Sequence, residues 1–194
     1  MPSIAIFASG TGSNALKIIE HFKDDPKVHV SLIVSNKASA GVLQHAKTYQ
    51  IPQLIIDRTT FYDSAEILDE LALLGVDLIV LAGFLWLVPN YLIKAYPDQI
   101  VNIHPALLPK YGGKGMYGMN VHRAVKAAGE TRSGITIHYV NEQYDEGQII
   151  FQADCSLSPE DEAADIARKV LELEHRYFAE VLETILDSSD SDEI

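Results

Sequence analysis

Ile4-Ala5-Ile6-Phe7-Ala8-Ser9-Gly10-Thr11-Gly12-Ser13-Asn14-Ala15 decides the fold class. Five apolar residues (4–8) read as a buried strand, a glycine-rich turn follows, and residues 13–23 have helical periodicity. The alternation then repeats. Residues 28–34 read as a strand, 40–49 as a helix and 54–56 as a short strand. Residues 62–74 read as a helix with Ile67, Leu68, Leu71 and Leu74 on one face. Residues 76–82 are almost continuously apolar, as a central strand covered on both faces must be. Such β–α alternation predicts an α/β protein: a single-domain, doubly wound, mostly parallel sheet with helices on both faces. Right-handed crossovers then bring the C-terminal ends of the parallel strands to one rim, where ligands bind.

The second half changes character. Residues 99–103 read as a strand running into Asn102-Ile103-His104-Pro105-Ala106-Leu107-Leu108-Pro109. A glycine-rich loop (111–119) and a helix near 121–128 come next. Residues 135–140 and 148–153 read as two strands joined by a polar turn. After Pro159 a long amphipathic helix opens with Glu160, Asp161 and Glu162, acids that complement its dipole. It is expected to end near Leu186, giving a domain over residues 1–186 and an acidic, disordered tail over 187–194.

Composition narrows the function classes. With 15 basic and 27 acidic residues the chain carries a charge of -12. Four of the acids (Asp187, Asp190, Asp192 and Glu193) lie in the final stretch, so the body remains acidic without them. Such a surface repels phosphate backbones and argues against nucleic-acid binding, though not against one small phosphorylated ligand. Cys155 is the single cysteine, which excludes an internal disulfide and fits a reducing, cytoplasmic compartment. The first residues lack a signal peptide's basic and apolar regions, and the apolar run 78–93 is broken by Gly83, Pro89 and Asn90. No membrane association is expected. His, Asp and Glu show no metal-ligand spacing, so no metal is expected either.

Three groups of residues can carry chemistry. Glycines in Ser9-Gly10-Thr11-Gly12-Ser13-Asn14 permit close backbone approach, and the following helix offers free N–H groups and a positive dipole end to a phosphate. Gly10, Gly12 and Ala15 also fit a dinucleotide fingerprint, but Val34-Ser35-Asn36-Lys37 supplies no acid for a ribose, which favours a phosphate monoester. A tight turn capped by Ser13 is the bland alternative. Asn102 and His104 alternate on a strand and share a face near its end. There an amide can donate to an oxyanion and an imidazole can move a proton. Asp145, in Tyr144-Asp145-Glu146-Gly147, could pair with His104 and favour its imidazolium form, or could simply make a turn.

In order along the chain, Ser9-Gly10-Thr11-Gly12-Ser13-Asn14, Leu81-Ala82-Gly83-Phe84, Asn102 to Lys110 and Asp145-Glu146-Gly147 resemble the phosphoribosylglycinamide formyltransferases, over about residues 3–186. The resemblance implies an open doubly wound sheet. It also implies transfer of the formyl group of 10-formyltetrahydrofolate to the amine of glycinamide ribonucleotide, by direct attack through a tetrahedral intermediate. On this chain it implies Asn102, His104 and Asp145 as the catalytic trio. Gly12, Ser13 and Asn14 match the phosphate segment, and Glu174 a residue that contacts the nucleotide. Leu85, Trp86, Leu87 and Val88 match the folate pocket, as do Val140, Asn102 and Asp145. The oligomeric state, monomer or homodimer, stays open.

The chain departs from that pattern in places. Leu85-Trp86 stands where many relatives carry Met-Arg, and Ser64 or a neighbour replaces a basic residue after Phe61. Both basic residues are associated with the folate's glutamate tail. Trp86 is expected to stack on the benzoyl group or cover the pocket mouth. Residues 114–119 read as an insertion forming a flap. Methionyl-tRNA formyltransferase shares the trio but implies an added RNA-binding domain and a basic surface. Formyltetrahydrofolate deformylase uses water as acceptor and implies an added N-terminal domain, whereas this chain opens on its first strand. A non-catalytic nucleotide-binding module would tolerate loss of Asn102, His104 and Asp145.

Overall fold

A computed structural model describes residues 1–189. Fourteen elements follow one another along these residues. They are β1 (Ser3–Phe7), α1 (Ser13–Phe22), β2 (His29–Ser35), α2 (Val42–Thr48), β3 (Gln53–Ile55), α3 (Arg58–Tyr62), α4 (Glu66–Leu73), β4 (Leu78–Leu81), α5 (Asn90–Ala95), β5 (Ile100–His104), α6 (Met119–Ala127), β6 (Arg132–Tyr139), β7 (Ile149–Ser156) and α7 (Ala163–Ser189). The chain folds as two compact units whose boundary falls inside β5, the first being Met1–Asn102. Among the described residues no helix is long and apolar enough to cross a membrane.

The first unit is the predicted parallel sheet, in the order β3-β2-β1-β4-β5. Its central strands are buried because both faces are covered: Ile4, Ala5, Ile6, Phe7, Ile79 and Val80 have no exposed surface. The order reverses between β1 and β4, which places the turns after these two strands side by side. Ser9 N–H donates to the Gly83 carbonyl at 3.1 Å, and Leu85 N–H donates to Ser9 Oγ at 3.0 Å. In register, Phe7 lies beside Leu81 and Leu81 beside Asn102. Asn102 therefore stands at the rim from which residues 9–14 and 82–88 emerge. This is the position where open α/β sheets bind ligands.

The helix expected over 62–74 is two helices. Asp57 caps α3 with a reciprocal pair of bonds, Thr60 N–H to Asp57 Oδ1 at 2.9 Å and Asp57 N–H to Thr60 Oγ1 at 3.2 Å. This starts a helix four residues before Tyr62. Ser64 Oγ then accepts from Glu66 N–H at 3.2 Å, turning the chain before α4 begins. Such local side-chain bonds compete with a continuous helix.

In the second unit β6 and β7 pair antiparallel, with α7 packed on both strands and α6 packed on α7. Thr136, wholly buried on β6, donates to the Ala106 carbonyl at 2.7 Å and accepts from Leu108 N–H at 3.0 Å. It thereby pins the segment that follows His104. Helix α7 runs past the expected end near Leu186 to Ser189, because no glycine or proline after Pro159 stops it. Asp187, the first residue of the expected tail, is therefore helical, and residues 190–194 lie outside the described residues. Ile166, Val170, Glu174, Phe178, Leu182 and Leu186 form its buried stripe at four-residue spacing.

Candidate active site

In the first unit Gly12, Ser13 and Asn14 open α1. Gly12 is its N-cap, with φ of 77°, a left-handed conformation that suits glycine. A Cβ there would stand 2.6 Å from the Val42 Cβ at the start of α2. Glycine is thus required both by the backbone and by the approach of α2. Gly12→Ala should lower stability by about 1–3 kcal/mol, and weaken binding of a phosphorylated ligand more than it lowers turnover. Thermal melting and a phosphate-ester titration check both. An unshifted melting temperature would show that α2 gives way freely.

Leu85, Trp86, Leu87 and Val88 follow β4 in this same unit. Leu85 is exposed, Val88 is buried, and Trp86 and Leu87 lie between these extremes. Trp86 sits in an aromatic cluster with Phe61, Tyr62 and Phe84, at ring-centroid distances of 5.9, 6.0 and 6.2 Å.

In the second unit the structure brings His104 and Asp145 together. His104 is 3% exposed at the end of β5, and its Nδ1 lies 3.5 Å from Asp145 Oδ1. Its Nε2 lies 2.8 Å from the Tyr111 carbonyl oxygen. Asp145 adopts φ of 57°, and its Oδ2 accepts from Gly113 N–H at 2.8 Å. Gly147 closes the turn against Tyr139, where a Cβ would overlap the carbonyl oxygen.

His138 completes the cluster. Buried on β6, its Nε2 is 3.7 Å from Asp145 Oδ1 and its Nδ1 is 2.8 Å from the Tyr139 carbonyl oxygen. Sequence reasoning leaves His138 open, as a histidine that either faces the cleft or merely caps. Its signal is placement beside Ile135 and Ile137 on a buried strand, where an imidazole needs partners. The sequence does not single out Tyr111. Its φ of 58° turns its carbonyl to His104, while its hydroxyl donates to Glu130 Oε1 at 2.8 Å, beside Lys110 Nζ at 2.9 Å. Those bonds fasten the start of the glycine-rich loop.

Asp145 favours the imidazolium form of His104, as the sequence suggests, but it is not the largest influence on the ring. Both ring nitrogens face acceptors, an arrangement that suits the imidazolium form. Burial opposes that charge and prevails, holding the His104 pKa below its ordinary 6.5. The Asp145 charge and the Tyr111 carbonyl offset burial only in part, and His138 lowers the pKa further. Burial likewise lowers His122 on α6, with the charge of His104 adding to it. For Asp145, burial raises the carboxyl pKa, but bonds from His138 and Gly113 and the His104 charge outweigh it and leave it lowered.

These directions fix a pH dependence of stability. An unfolded chain takes up protons on His104 and His122 at a higher pH than the folded one does. Their contribution is therefore complete above 6.5 and is lost as pH falls below it. Melting temperatures should fall from about pH 7 to about pH 5, and His122→Asn should flatten the slope. An unchanged slope in that variant would remove His122 from the account.

Two further expected site residues, Val140 and Glu174, also belong to the second unit. Val140 follows β6 and is partly buried. Glu174 is 9% exposed, the one charged side chain in the buried stripe of α7. No group of three or more His, Cys, Asp or Glu among the described residues is placed to hold a metal ion.

A buried imidazole–carboxylate pair, two residues beyond an asparagine at the rim of a parallel sheet, suits polar group transfer to or from a carbonyl carbon. Residues 3–182 match the formyl transferase family, and the chain belongs to it. Two relatives named phosphoribosylglycinamide formyltransferase show the range of similarity. The chloroplastic protein of Arabidopsis thaliana is 42% identical over 190 residues, covering 95% of this chain and 65% of its own length. That of Bacillus subtilis is 34% identical, covering 96% of this chain and 95% of its own length. This chain thus spans about two thirds of the plant relative and nearly all of the bacterial one. The crystal structure of the protein from Anaplasma phagocytophilum superposes with a TM-score of 0.87 at 32% identity, covering 96% of this chain and 87% of that one. The fold is the mostly parallel α/β sheet of that family.

Proposed function

We propose that this chain transfers a formyl group from 10-formyltetrahydrofolate to the glycine amine of 5-phosphoribosylglycinamide, a step of purine biosynthesis. The observation that carries the reading is the His104–Asp145 pair at 3.5 Å, directly beyond Asn102. Family membership narrows the transferred group to formyl. The named relatives narrow the acceptor.

In this reading the neutral amine attacks the formyl carbon, a C–N bond forms, and the formyl oxygen takes up negative charge. Asn102 donates to that oxygen, an interaction of about 3–4 kcal/mol per well-placed donor. His104 starts neutral, because burial lowers its pKa. Asp145, ionised at the start, orients the ring, receives the amine's proton through water and passes it to His104, so the ring becomes an imidazolium as the oxygen takes up its charge. The bond to N10 of the folate then breaks, and N10 takes that same proton from the imidazolium as it leaves, returning His104 to its neutral form. No covalent enzyme intermediate is needed.

Gly12, Ser13 and Asn14 hold the substrate phosphate through the start of α1, and Glu174 contacts the nucleotide. The resemblance supports Leu85, Trp86, Leu87, Val88, Asn102, Val140 and Asp145 as the residues that contact the folate. A cytoplasmic location fits the single cysteine, although the plant relatives are named as chloroplastic.

The test is a direct assay with glycinamide ribonucleotide and 10-formyltetrahydrofolate beside a control without nucleotide. Formyl transfer that requires the nucleotide supports the reading. Release of formate without it would make the chain a deformylase. No reaction in either arm would favour a nucleotide-binding module.

A further inference from the structure

The first N–H groups of a helix have no partner inside it, so α1 holds an anion well only if the residues leading into it aim those groups at one point. We infer that His45, on α2, aims them: it is a positioning residue for the phosphate of the nucleotide substrate. The inference rests on the reading of Gly12, Ser13 and Asn14 as the phosphate segment, and deepens it.

Three contacts, all within the first unit, hold residues 10–12 against the start of α2. Val42 N–H donates to the Gly10 carbonyl at 3.2 Å. Gly41 comes so near that a Cβ there would stand 3.1 Å from the Thr11 carbonyl oxygen. His45 follows Val42 by three residues, on the same face of α2, and its Nε2 lies 3.1 Å from that same oxygen. A carbonyl oxygen can only accept, so this ring nitrogen is the one that carries the proton.

Peptide geometry turns these contacts into an orientation. The Gly10–Thr11 and Thr11–Gly12 bonds are trans, and across a trans bond the carbonyl and the next N–H point in opposite directions. Both carbonyls are directed to α2, so the N–H groups of Thr11 and Gly12 point away from it. Gly12, left-handed at φ 77° and ψ 29°, then leads into helical Ser13. A left-handed residue beside a right-handed one makes successive N–H groups converge into a concavity that takes an anion. Val42 holds the first of these peptides through its backbone, which a side-chain change leaves in place. His45 holds the second, the one that carries the Gly12 N–H, through its side chain.

The experiment measures binding of glycinamide ribonucleotide and of its unphosphorylated riboside, by calorimetry, to wild type, His45→Leu and His45→Gln. Leucine keeps bulk and removes the donor, whereas glutamine offers an uncharged N–H near the place of Nε2. The expected result is a Kd for the ribonucleotide raised about tenfold in His45→Leu and returned to within about twofold of wild type in His45→Gln. The riboside binds all three proteins alike. In turnover the KM for the ribonucleotide follows its Kd, while kcat and the folate KM hold. A bond that merely ties α2 to the turn would instead lower the melting temperature and weaken both ligands equally. Equal weakening of both ligands, unchanged binding in His45→Leu, or a glutamine variant no better than leucine overturns the role of His45. A wild type that binds both ligands equally overturns the phosphate reading and this inference with it. One that prefers the ribonucleotide but transfers no formyl group overturns the proposed reaction, and the two variants still decide the role of His45.

Discussion

His104→Ala should lower kcat about 10³-fold while leaving the substrate KM values within a few-fold. The imidazole is expected to act only as charge develops, so its loss raises the barrier without removing ground-state binding. The side chain is 3% exposed and sits between the Tyr111 carbonyl and Asp145. Truncation therefore also leaves these two acceptors without the ring. A second variant, His104→Gln, keeps a donor near the Tyr111 carbonyl and fills most of the space. If both variants lose activity alike while Gln retains the wild-type melting temperature, the loss belongs to proton movement and charge, not to collapse of the segment. A kcat within tenfold of wild type in His104→Gln would remove the ring from the chemistry.

The site is legible in the sequence where local chain geometry determines it. Strand alternation places Asn102 and His104 on one face, and the glycine turn after β1 announces a helix start suited to phosphate. Pairings across sequence are legible only through family resemblance. Asp145 lies 41 residues after His104, and nothing in its own turn distinguishes it. Tyr111 and Thr136 escape a reading of the sequence, and His138 is left undecided by it, because their importance comes from which buried atoms they meet, a property of packing. The protonation of His104 escapes it for a related reason. A sequence shows that a carboxylate could be near, but not that burial outweighs it. The split of α3 from α4 is in principle readable from Asp57 and Thr60, a capping pair three residues apart. Glu174 is likewise readable, as a carboxylate interrupting an otherwise apolar four-residue repeat in α7.

Asp145 offers a sharper separation of chemistry from structure than His104 does, because its two oxygens have different duties. Oδ1 faces His104 and His138, while Oδ2 accepts the Gly113 N–H at 2.8 Å. Asp145→Asn retains an oxygen for Gly113, and asparagine tolerates the φ of 57°. It removes the negative charge that raises the His104 pKa and, in the proposed mechanism, the group that receives the amine's proton. The expected result is a kcat lowered about 10²- to 10³-fold with the melting temperature nearly kept. The His104 pKa should fall further, so that a proton-dependent limb attributable to His104 moves to lower pH. Asp145→Ala loses the Gly113 anchor as well, and should match Asn in kcat while melting earlier. A common loss of activity with different stabilities would assign the carboxylate's charge to the reaction and its second oxygen to the fold. If Asp145→Asn instead kept full activity while Asp145→Ala lost it, Asp145 would be a turn-holding residue, and His104 would work without a carboxylate behind it.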